Sequence, residues 1–211
     1  MTYSVKEAFL TVQGEGGQAG RAAVFLRFAG CNLWNGLERD RAKAVCTFCD
    51  TDFVGVNGDG GGKFADAEAL SSHVASLWRG LEGDPKLVVC TGGEPLLQLD
   101  SALIAALKTR GFDIAVETNG TVAAPDGIDW ICVSPKADAP VVQTSGQELK
   151  LVFPQANAMP DRFEGLDFER FWLQHMDGAD QVANTAEAIE YCLTRPRWRL
   201  SVQTHKYIGV R

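Results

Sequence analysis

Short apolar runs of strand length alternate with segments of helical periodicity along most of this 211-residue chain. The runs predicted to be strands are residues 5–12, 22–29, 87–90, 112–117, 130–133, 148–153, 168–174 and 197–203. Three segments have apolar side chains at helical spacing, namely residues 64–81, 96–108 and 181–193, the last through Val182, Ala186, Ile189 and Leu193. Strands that alternate with helices in this way predict an α/β fold with a mostly parallel sheet.

The length of the chain limits how complete that sheet can be. A closed barrel of eight strand–helix units takes about 250 residues. Here residues 1–60 hold only two predicted strands and a long cysteine-containing loop, and several later connections are too short for a full helix. The sequence therefore predicts a single domain over residues 1–211, folded as an incomplete barrel of about six mostly parallel strands with few helices.

Three cysteines follow the second predicted strand with the spacing C-x14-C-x2-C, at Cys31, Cys46 and Cys49. Three neighbouring thiolates suit a soft metal or an iron–sulfur cluster. A cube of four irons held by three cysteines keeps one iron open, and an open metal site is where chemistry takes place. Phe48 lies between the last two cysteines, where its ring can contact a flat cofactor.

Two other interpretations of the cysteines remain open at this point. The first is a structural zinc site, which takes four ligands and for which Cys90, at the end of a predicted strand, is the candidate fourth ligand. The second is that the thiols are simply buried without binding a metal. A zinc-stabilised binding module would be a protein of a different class from an enzyme.

Composition narrows the class of partner. The net charge of −7 and the pI near 5.0 argue against nucleic acid, since phosphate binding needs a basic surface. No apolar stretch reaches the ~18 residues of a membrane span, and the N-terminal residues lack the apolar core of a signal peptide. Six cysteines without paired spacing indicate a reducing compartment, the cytoplasm. We therefore expect a small-molecule substrate.

Polar motifs stand just beyond the predicted strands, at the edge where parallel sheets place their active sites. They are Thr11-Val12-Gln13-Gly14-Glu15-Gly16, Cys49-Asp50-Thr51, Thr91-Gly92-Gly93-Glu94, Glu117-Thr118-Asn119-Gly120, Ser134-Pro135-Lys136, Leu173-Gln174-His175-Met176-Asp177 and Gln203-Thr204-His205-Lys206. With the three cysteines, these motifs resemble the radical S-adenosylmethionine (SAM) superfamily and, within it, the 7-carboxy-7-deazaguanine synthase family. The resemblance spans nearly the whole chain, and a long loop after the first cysteine is within that family's range.

That resemblance implies a lyase of 7-deazapurine (queuosine precursor) biosynthesis. The implied reaction is the radical SAM ring contraction of 6-carboxy-5,6,7,8-tetrahydropterin to 7-carboxy-7-deazaguanine with release of ammonia. The implied cofactors are a [4Fe–4S] cluster, SAM and Mg²⁺, and the implied partners are a second copy of the chain in a homodimer and an electron donor such as a flavodoxin. Within the superfamily, an activase that places a radical on a partner protein is the alternative, and it would need a large exposed groove.

The resemblance also implies which residues bind the cofactors. Cys31, Cys46 and Cys49 hold the cluster, and the amino and carboxylate groups of SAM take the open iron. The residues implied for SAM are Phe48, Asp50, Gly92, Gly93, Glu94, Glu117, Asn119, Ser134, Pro135, Lys136, Leu173, Gln174, His175 and Met176. Two adjacent glycines let the backbone approach the cofactor, although an ordinary strand-to-helix turn would also use them. At His175 the family would have proline.

The residues implied for the substrate are Val12, Gln13, Gly14, Glu15, Arg27, Thr91, His205 and Arg211. Glu15 is an acceptor suited to the N–H-rich edge of a pterin. Arg27 is a lone cation in an apolar strand, so either a substrate carboxylate or a salt bridge to an acidic residue pairs with it. His205 either lines the site or lies on an exposed tail. Thr51 shares Mg²⁺ with the substrate in the family, and without the resemblance it would be a turn residue.

Overall fold

The computed structural model describes residues 1–211 and contains one mixed sheet of nine strands. The strands are β1 (Tyr3–Val12), β2 (Ala22–Phe28), β3 (Gly62–Phe64), β4 (Lys86–Gly92), β5 (Phe112–Thr118), β6 (Trp130–Val133), β7 (Ser145–Phe153), β8 (Asp167–His175) and β9 (Trp198–Ser201). The helices are α1 (Ala67–Leu77), α2 (Ser101–Thr109), α3 (Gln181–Thr194) and α4 (Thr204–Ile208). None of the helices combines the length and the apolar character that a bilayer span requires.

The strand order places the polar motifs at one edge of the sheet. The order is β3-β1-β2-β4-β5-β6-β7-β8-β9, and neighbours from β2 to β9 run parallel. Strand β1 is antiparallel to both β2 and β3, and the outer strands β3 and β9 do not pair, so the barrel stays open. The predicted incomplete, mostly parallel barrel with few helices is confirmed. It has nine strands instead of about six, because β1 and β3 extend the sheet beyond its seven parallel strands.

Helices α1 and α2 cover one face of the N-terminal half of the sheet. Both begin at an aspartate whose side chain accepts a hydrogen bond from a first-turn amide: Asp66 from Ala69 N (2.8 Å) and Asp100 from Leu103 N (2.9 Å). Asp100 also accepts a hydrogen bond from the Tyr3 hydroxyl (2.7 Å), which ties α2 to β1. The apolar faces of the two helices pack on the sheet through Leu70, Val74, Leu103, Ile104 and Leu107, all buried.

Helix α3 turns its most regular apolar stripe to solvent. The predicted helix is confirmed, but Val182 is 84% exposed and Leu193 74% exposed, and Ile189 is also exposed. The first hydrophobic core lies beneath α1 and α2. The small Ala188, together with Tyr191 and Cys192, packs instead on a second core, which includes Leu151, Phe171 and Trp198. Apolar spacing alone therefore predicts the wrong buried face for this helix. The small side chain of Ala188 lets α3 lie close to β8 and β9.

Some boundaries differ from the prediction. Strand β3 lies at the end of a segment predicted as a loop, and α4 follows β9 where no helix was predicted. The predicted helix over residues 96–108 begins at Ser101, because residues 95–97 form a separate 3₁₀ turn that starts with Pro95. Helix α1 ends at Leu77, where Trp78 adopts an extended backbone.

Candidate active site

The C-terminal ends of the parallel strands and the cysteine loop enclose one cavity of about 480 Å³. All residues predicted for the site line it, apart from Glu94, Pro135 and Leu173. Glu7 and Lys150, which the sequence analysis did not single out, are also in its wall, as are Gln203 and Lys206 of the last polar motif. The cavity brings together groups from β1, β2, β4, β5, β6, β7, β8 and the C-terminal segment.

The three cysteines Cys31, Cys46 and Cys49 share the wall of this cavity, and all three are free thiols. Nowhere in the chain do three His, Cys, Asp or Glu side chains converge on a point where one metal ion could bind. A cluster of four irons is different, because it takes its cysteines at separate corners. Cys90, the candidate fourth zinc ligand, is fully buried in the first core and outside the cavity. The donor set therefore fits a cluster held by three cysteines better than a four-ligand zinc site.

Electrostatics favours a thiolate at Cys46, whereas burial raises the pKa of Cys31. The neighbouring Cys49 thiol, with the charge of Lys136, lowers the pKa of Cys46 to about 7 despite its burial. The interaction with Cys46, together with burial, raises the pKa of Cys49. The Lys136 ammonium donates to Ser134 O (2.7 Å) and Ser134 Oγ (2.8 Å) and lies 5.8 Å from the centre of the Phe48 ring.

Gly92 and Gly93 let β4 approach the segment that leads from β2 to the first cysteine. Gly92 has a φ of 120°, and a Cβ there would contact the Phe28 carbonyl oxygen. A Cβ on Gly93 would contact the Gly30 carbonyl oxygen and would lie 2.9 Å from the Cβ of Cys31. The observed reason for the glycine pair is thus close packing beneath the cysteine loop, which is more specific than an ordinary turn.

Glu94 does not reach the cavity, contrary to its expected role as a cofactor ligand. Its side chain is fully buried, and its carboxylate accepts hydrogen bonds from Leu96 N (3.0 Å), Thr118 Oγ1 (2.8 Å) and Asn119 N (2.8 Å). Burial raises the pKa of Glu94 in spite of these donors. Glu94 therefore joins the ends of β4 and β5 from beneath the site. Asn119 in turn donates to Asn32 Oδ1 (3.0 Å), next to Cys31.

The other two residues outside the wall are Pro135 and Leu173. Leu173 points into the second core, because alternate residues of β8 face opposite sides of the sheet. Pro135 is buried, and its carbonyl oxygen accepts a hydrogen bond from Gln155 Nε2 (3.3 Å). Neither side chain is placed to contact a ligand in the cavity.

At the end of β8, Gln174 and His175 line the cavity and are mostly engaged with protein. Gln174 Oε1 accepts a hydrogen bond from Ser201 Oγ (3.3 Å). His175, 2% exposed, stands 3.4 Å from Gln181 through Nε2, and its Nδ1 has no partner. The imidazole occupies the place where the family resemblance implied proline.

Arg27 has a protein partner within the cavity wall. Its Nε donates to Glu7 Oε1 (2.8 Å), so the salt-bridge alternative is observed, and the guanidinium still lines the cavity. Register explains the pair, since β1 and β2 place Glu7 directly opposite Arg27. Arg211 donates to the other Glu7 oxygen (2.6 Å), and its own carbonyl oxygen accepts from Thr11 Oγ1 (2.8 Å). Two guanidinium groups thus share one carboxylate on this side of the cavity.

Opposite charges meet again around Lys150 of β7. Its ammonium, in a side chain only 4% exposed, donates to Glu15 Oε2 and Glu117 Oε2, both at 2.7 Å. Gln203 donates to Glu15 Oε1 (2.9 Å), and Gln13 donates to Glu117 Oε1 (3.3 Å). Lys150 was missed although it carried the same signal as Arg27, a lone cation in an otherwise apolar strand.

The two carboxylates beside Lys150 titrate differently. Burial opposes ionisation of Glu15, but Lys150 and Gln203 outweigh it and lower the pKa of Glu15 to about 2. At Glu117 burial has the largest effect on the pKa, and the negative charges of Glu15 and Glu148 act in the same direction. The pKa of Glu117 is therefore raised.

The C-terminal segment closes the cavity beside the cysteine loop. Lys206 donates to Asp50 (3.3 Å) and to Asp177 (2.5 Å), which links α4 to the loop after Cys49. His205 is half-buried against Gly14 and is therefore not on a free tail, and burial lowers its pKa. Thr51 is half-buried in the wall of the same cavity.

Comparisons with known proteins agree on one family. The chain is 74% identical over 210 residues to the 7-carboxy-7-deazaguanine synthase of Caulobacter vibrioides, and each sequence is covered completely. It is 64% identical over 210 residues to the enzyme of the same name from Bordetella pertussis, again over the full length of both. Among solved structures it resembles QueE from Escherichia coli, with a TM-score of 0.72, 26% identity and coverage of 96% of this chain and 94% of the other. No protein-family model matches the chain.

We expect Gly93→Ala to lower the free energy of unfolding by about 1–3 kcal/mol, because the added methyl group overpacks the contact with Gly30 and Cys31. Displacement of Cys31 should also lower the iron bound after anaerobic reconstitution. Chemical denaturation and iron analysis measure the two effects. Gly165→Ala is the matched control, since a Cβ there meets no atom within 4 Å, and it should change stability by less than about 0.5 kcal/mol. Equal stability and iron content in the two variants would contradict the packing role.

Proposed function

The chain belongs to the 7-carboxy-7-deazaguanine synthase family, and from that membership we propose that it converts 6-carboxy-5,6,7,8-tetrahydropterin to 7-carboxy-7-deazaguanine with release of ammonia. Membership implies an iron–sulfur cluster and SAM as cofactors. The observation that carries the proposal is one cavity in which three thiols, a pair of arginines and a carboxylate–lysine group face each other. Its volume of about 480 Å³ lies in the usual range of small-molecule sites. An activase for a protein partner would need a wider groove.

Cys31, Cys46 and Cys49 are the proposed ligands of a [4Fe–4S] cluster. Their position in the wall of one cavity supports this assignment, and the nearby cation Lys136 can offset the negative charge of thiolates. When bound, the reduced cluster and SAM would supply radical chemistry at C6 of the pterin. The protein's contribution is to hold the reacting groups and to exclude water.

SAM is proposed to lie along the ends of β4, β5, β6 and β8. Gly92 and Gly93 line the cavity there, and Ser134, Lys136 and Gln174 supply polar groups. Lys136 has three N–H donors, of which Ser134 uses two, so one remains for a carboxylate. That geometry supports a role in binding the amino-acid part of the cofactor.

The pterin is proposed to lie across the cavity with its carboxylate toward Arg27. Arg27 uses its Nε for Glu7, and its terminal nitrogens have no protein acceptor. Arg211 adds a second positive charge beside it. Arg211 also donates to Asp59 (2.6 Å), so the terminal nitrogens of Arg27 are the donors left for an anion on this side of the cavity. Holding the carboxylate in this way fixes C6 in one position, and positioning of reacting atoms is a major source of rate enhancement.

The proposal also includes partners and location. A homodimer and a protein electron donor such as a flavodoxin follow from family membership, and the exposed stripe on α3 (Val182, Ile189 and Leu193) supports association with another chain. The cytoplasm is the proposed location, and six unpaired cysteines are consistent with a reducing compartment.

Removal of any cluster ligand should abolish the cluster. We expect anaerobically purified protein to be brown with about four irons per chain, and Cys31→Ala, Cys46→Ala and Cys49→Ala each to lose that iron. Cys90→Ala, Cys132→Ala and Cys192→Ala are matched controls that should keep it, because these thiols lie outside the cavity. Visible absorption and iron analysis are the measurements. Stoichiometric zinc without iron would rule out the proposal.

The reaction itself is tested with reductant, SAM and 6-carboxy-5,6,7,8-tetrahydropterin. We expect 7-carboxy-7-deazaguanine to accumulate well beyond one equivalent per SAM consumed, because the hydrogen atom returns and SAM is regenerated. Chromatography of product and 5′-deoxyadenosine gives the ratio directly. If 5′-deoxyadenosine forms one for one with product, the regeneration step is wrong although the ring contraction stands.

Mg²⁺ is proposed to bind Thr51 together with the substrate. Thr51 lines the cavity beside Asp50. A substrate carboxylate at this place would meet the negative charge of Asp50. A divalent cation with hard oxygen ligands offsets that repulsion. Thr51→Val keeps the shape and removes the oxygen, so we expect lower turnover and a flattened Mg²⁺ dependence.

For that variant, the iron content and the affinity for SAM should stay at the wild-type level. A full Mg²⁺ response in Thr51→Val would show that the threonine only shapes the turn and that the metal binds elsewhere.

A further inference from the structure

Lys150 has one hydrogen-bond donor left over. An ammonium group carries three N–H donors. Two of them bind Glu15 Oε2 and Glu117 Oε2, and no other protein acceptor is within hydrogen-bonding distance. The group is almost fully buried and lines the cavity, so bulk water is not its natural partner. Because a buried donor without an acceptor is costly, the third N–H points to an acceptor on the ligand.

The flanking carboxylates keep acceptor capacity. Each ionised carboxylate has about four lone-pair positions. Glu15 uses two of them for Lys150 and Gln203. Glu117 uses two for Lys150 and Gln13, the latter through a long contact of 3.3 Å. Both glutamates line the cavity, and both side chains are 17% exposed there.

The local charge favours hydrogen-bond donors on either side of that acceptor. Two carboxylates around one ammonium leave a net charge of −1 when both are ionised. A third carboxylate nearby, Glu148, is already used by Gly17 N (2.7 Å) and by the Trp130 indole N–H (2.9 Å). An acceptor placed against Glu15 or Glu117 would therefore be repelled, whereas an N–H group would be bound.

We propose that Glu15, Lys150 and Glu117 form an acceptor–donor–acceptor surface that recognises a carbonyl group flanked by two N–H groups. The inference rests on the proposed function, in which the ligand is a tetrahydropterin. In that ligand the carbonyl at C4 stands between N3–H and N5–H. Lys150 donates to the carbonyl oxygen, Glu117 accepts from N5–H, and Glu15 accepts from N3–H. Glu117 is thereby assigned to the substrate instead of to SAM.

This surface makes the site selective for the reduced ring. In the aromatic analogue 6-carboxypterin, N5 has no hydrogen and is itself an acceptor. One of the carboxylates would then face a lone pair and lose its partner. A site built to hydrogen-bond an N–H rejects a ligand that lacks it. The structure thus assigns to this surface the discrimination between tetrahydropterin and aromatic pterin.

Equilibrium binding to the anaerobically reconstituted holoenzyme with SAM tests the assignment. The two probes are 6-carboxy-5,6,7,8-tetrahydropterin and 6-carboxypterin. Wild-type protein should bind the reduced form roughly 10- to 100-fold more tightly, the range for one hydrogen bond to a charged group. Glu117→Gln keeps the shape but can turn an N–H toward N5, so the preference should shrink or reverse while the affinity for SAM stays unchanged.

A second variant tests the central donor. Lys150→Met should weaken binding of the reduced pterin by a similar factor. Lys63→Met is the matched control, because Lys63 is exposed on β3 and does not line the cavity, and pterin binding by this variant should equal that of wild type. If Lys150→Met does not fold, Glu117→Gln decides the question alone.

Three results would overturn either this assignment or the proposed function. A loss of SAM affinity in Glu117→Gln, with the pterin preference intact, would place Glu117 at the cofactor and overturn the assignment. Equal affinity of wild-type protein for both pterins would also overturn it while leaving the proposed function standing. A holoenzyme that binds SAM but neither pterin would instead overturn the proposed function.

Discussion

Parallel pairing of the strands from β2 to β9 is the constraint on which the site depends. It brings the C-terminal ends of seven strands to one edge, so motifs far apart in the chain become neighbours. The pairing of β2 with β4 is the tightest case, since it sets Phe28 beside Gly92 and leads the chain into Cys31. Without side chains at Gly92 and Gly93, the two strand ends can approach closely enough to seat the cysteine loop.

Buried charges in the fold fall into two kinds. Glu94 is saturated by three protein donors and supports the strand ends from beneath. Lys150 and its two glutamates are paired with one another but keep hydrogen-bonding capacity toward the cavity. Leaving a buried polar group incompletely satisfied is costly, so such groups mark where a ligand completes the network. Arg27 is a similar case. Its Nε donates to Glu7, but its terminal nitrogens have no protein acceptor, so it is more than a structural ion pair.

A feature could be predicted from the sequence when its physical cause lies among residues that are close together in the chain. The strands and the three main helices were predicted because apolar periodicity is a property of neighbouring residues. The site's location at the strand ends followed from the parallel sheet, and the family prediction is confirmed by relatives of 74% and 64% identity. The face of α3 was not predictable, because packing beside β8 and β9 selected Ala188 over the larger stripe. Glu94 was assigned to the cofactor from the family resemblance of the motif Thr91-Gly92-Gly93-Glu94, but only its first three residues line the cavity.

The sequence by itself determined which chemical groups stand at the strand ends: three thiols, several carboxylates and a few cations, in an order that identifies the family. The tertiary structure alone decided which of them satisfy each other. Lys150 and Glu15 are 135 residues apart, and Arg211 and Glu7 are 204 apart, so no local pattern could pair them. Hydrogen bonds act over about 3 Å, and only the folded chain brings groups at such sequence separations within that distance.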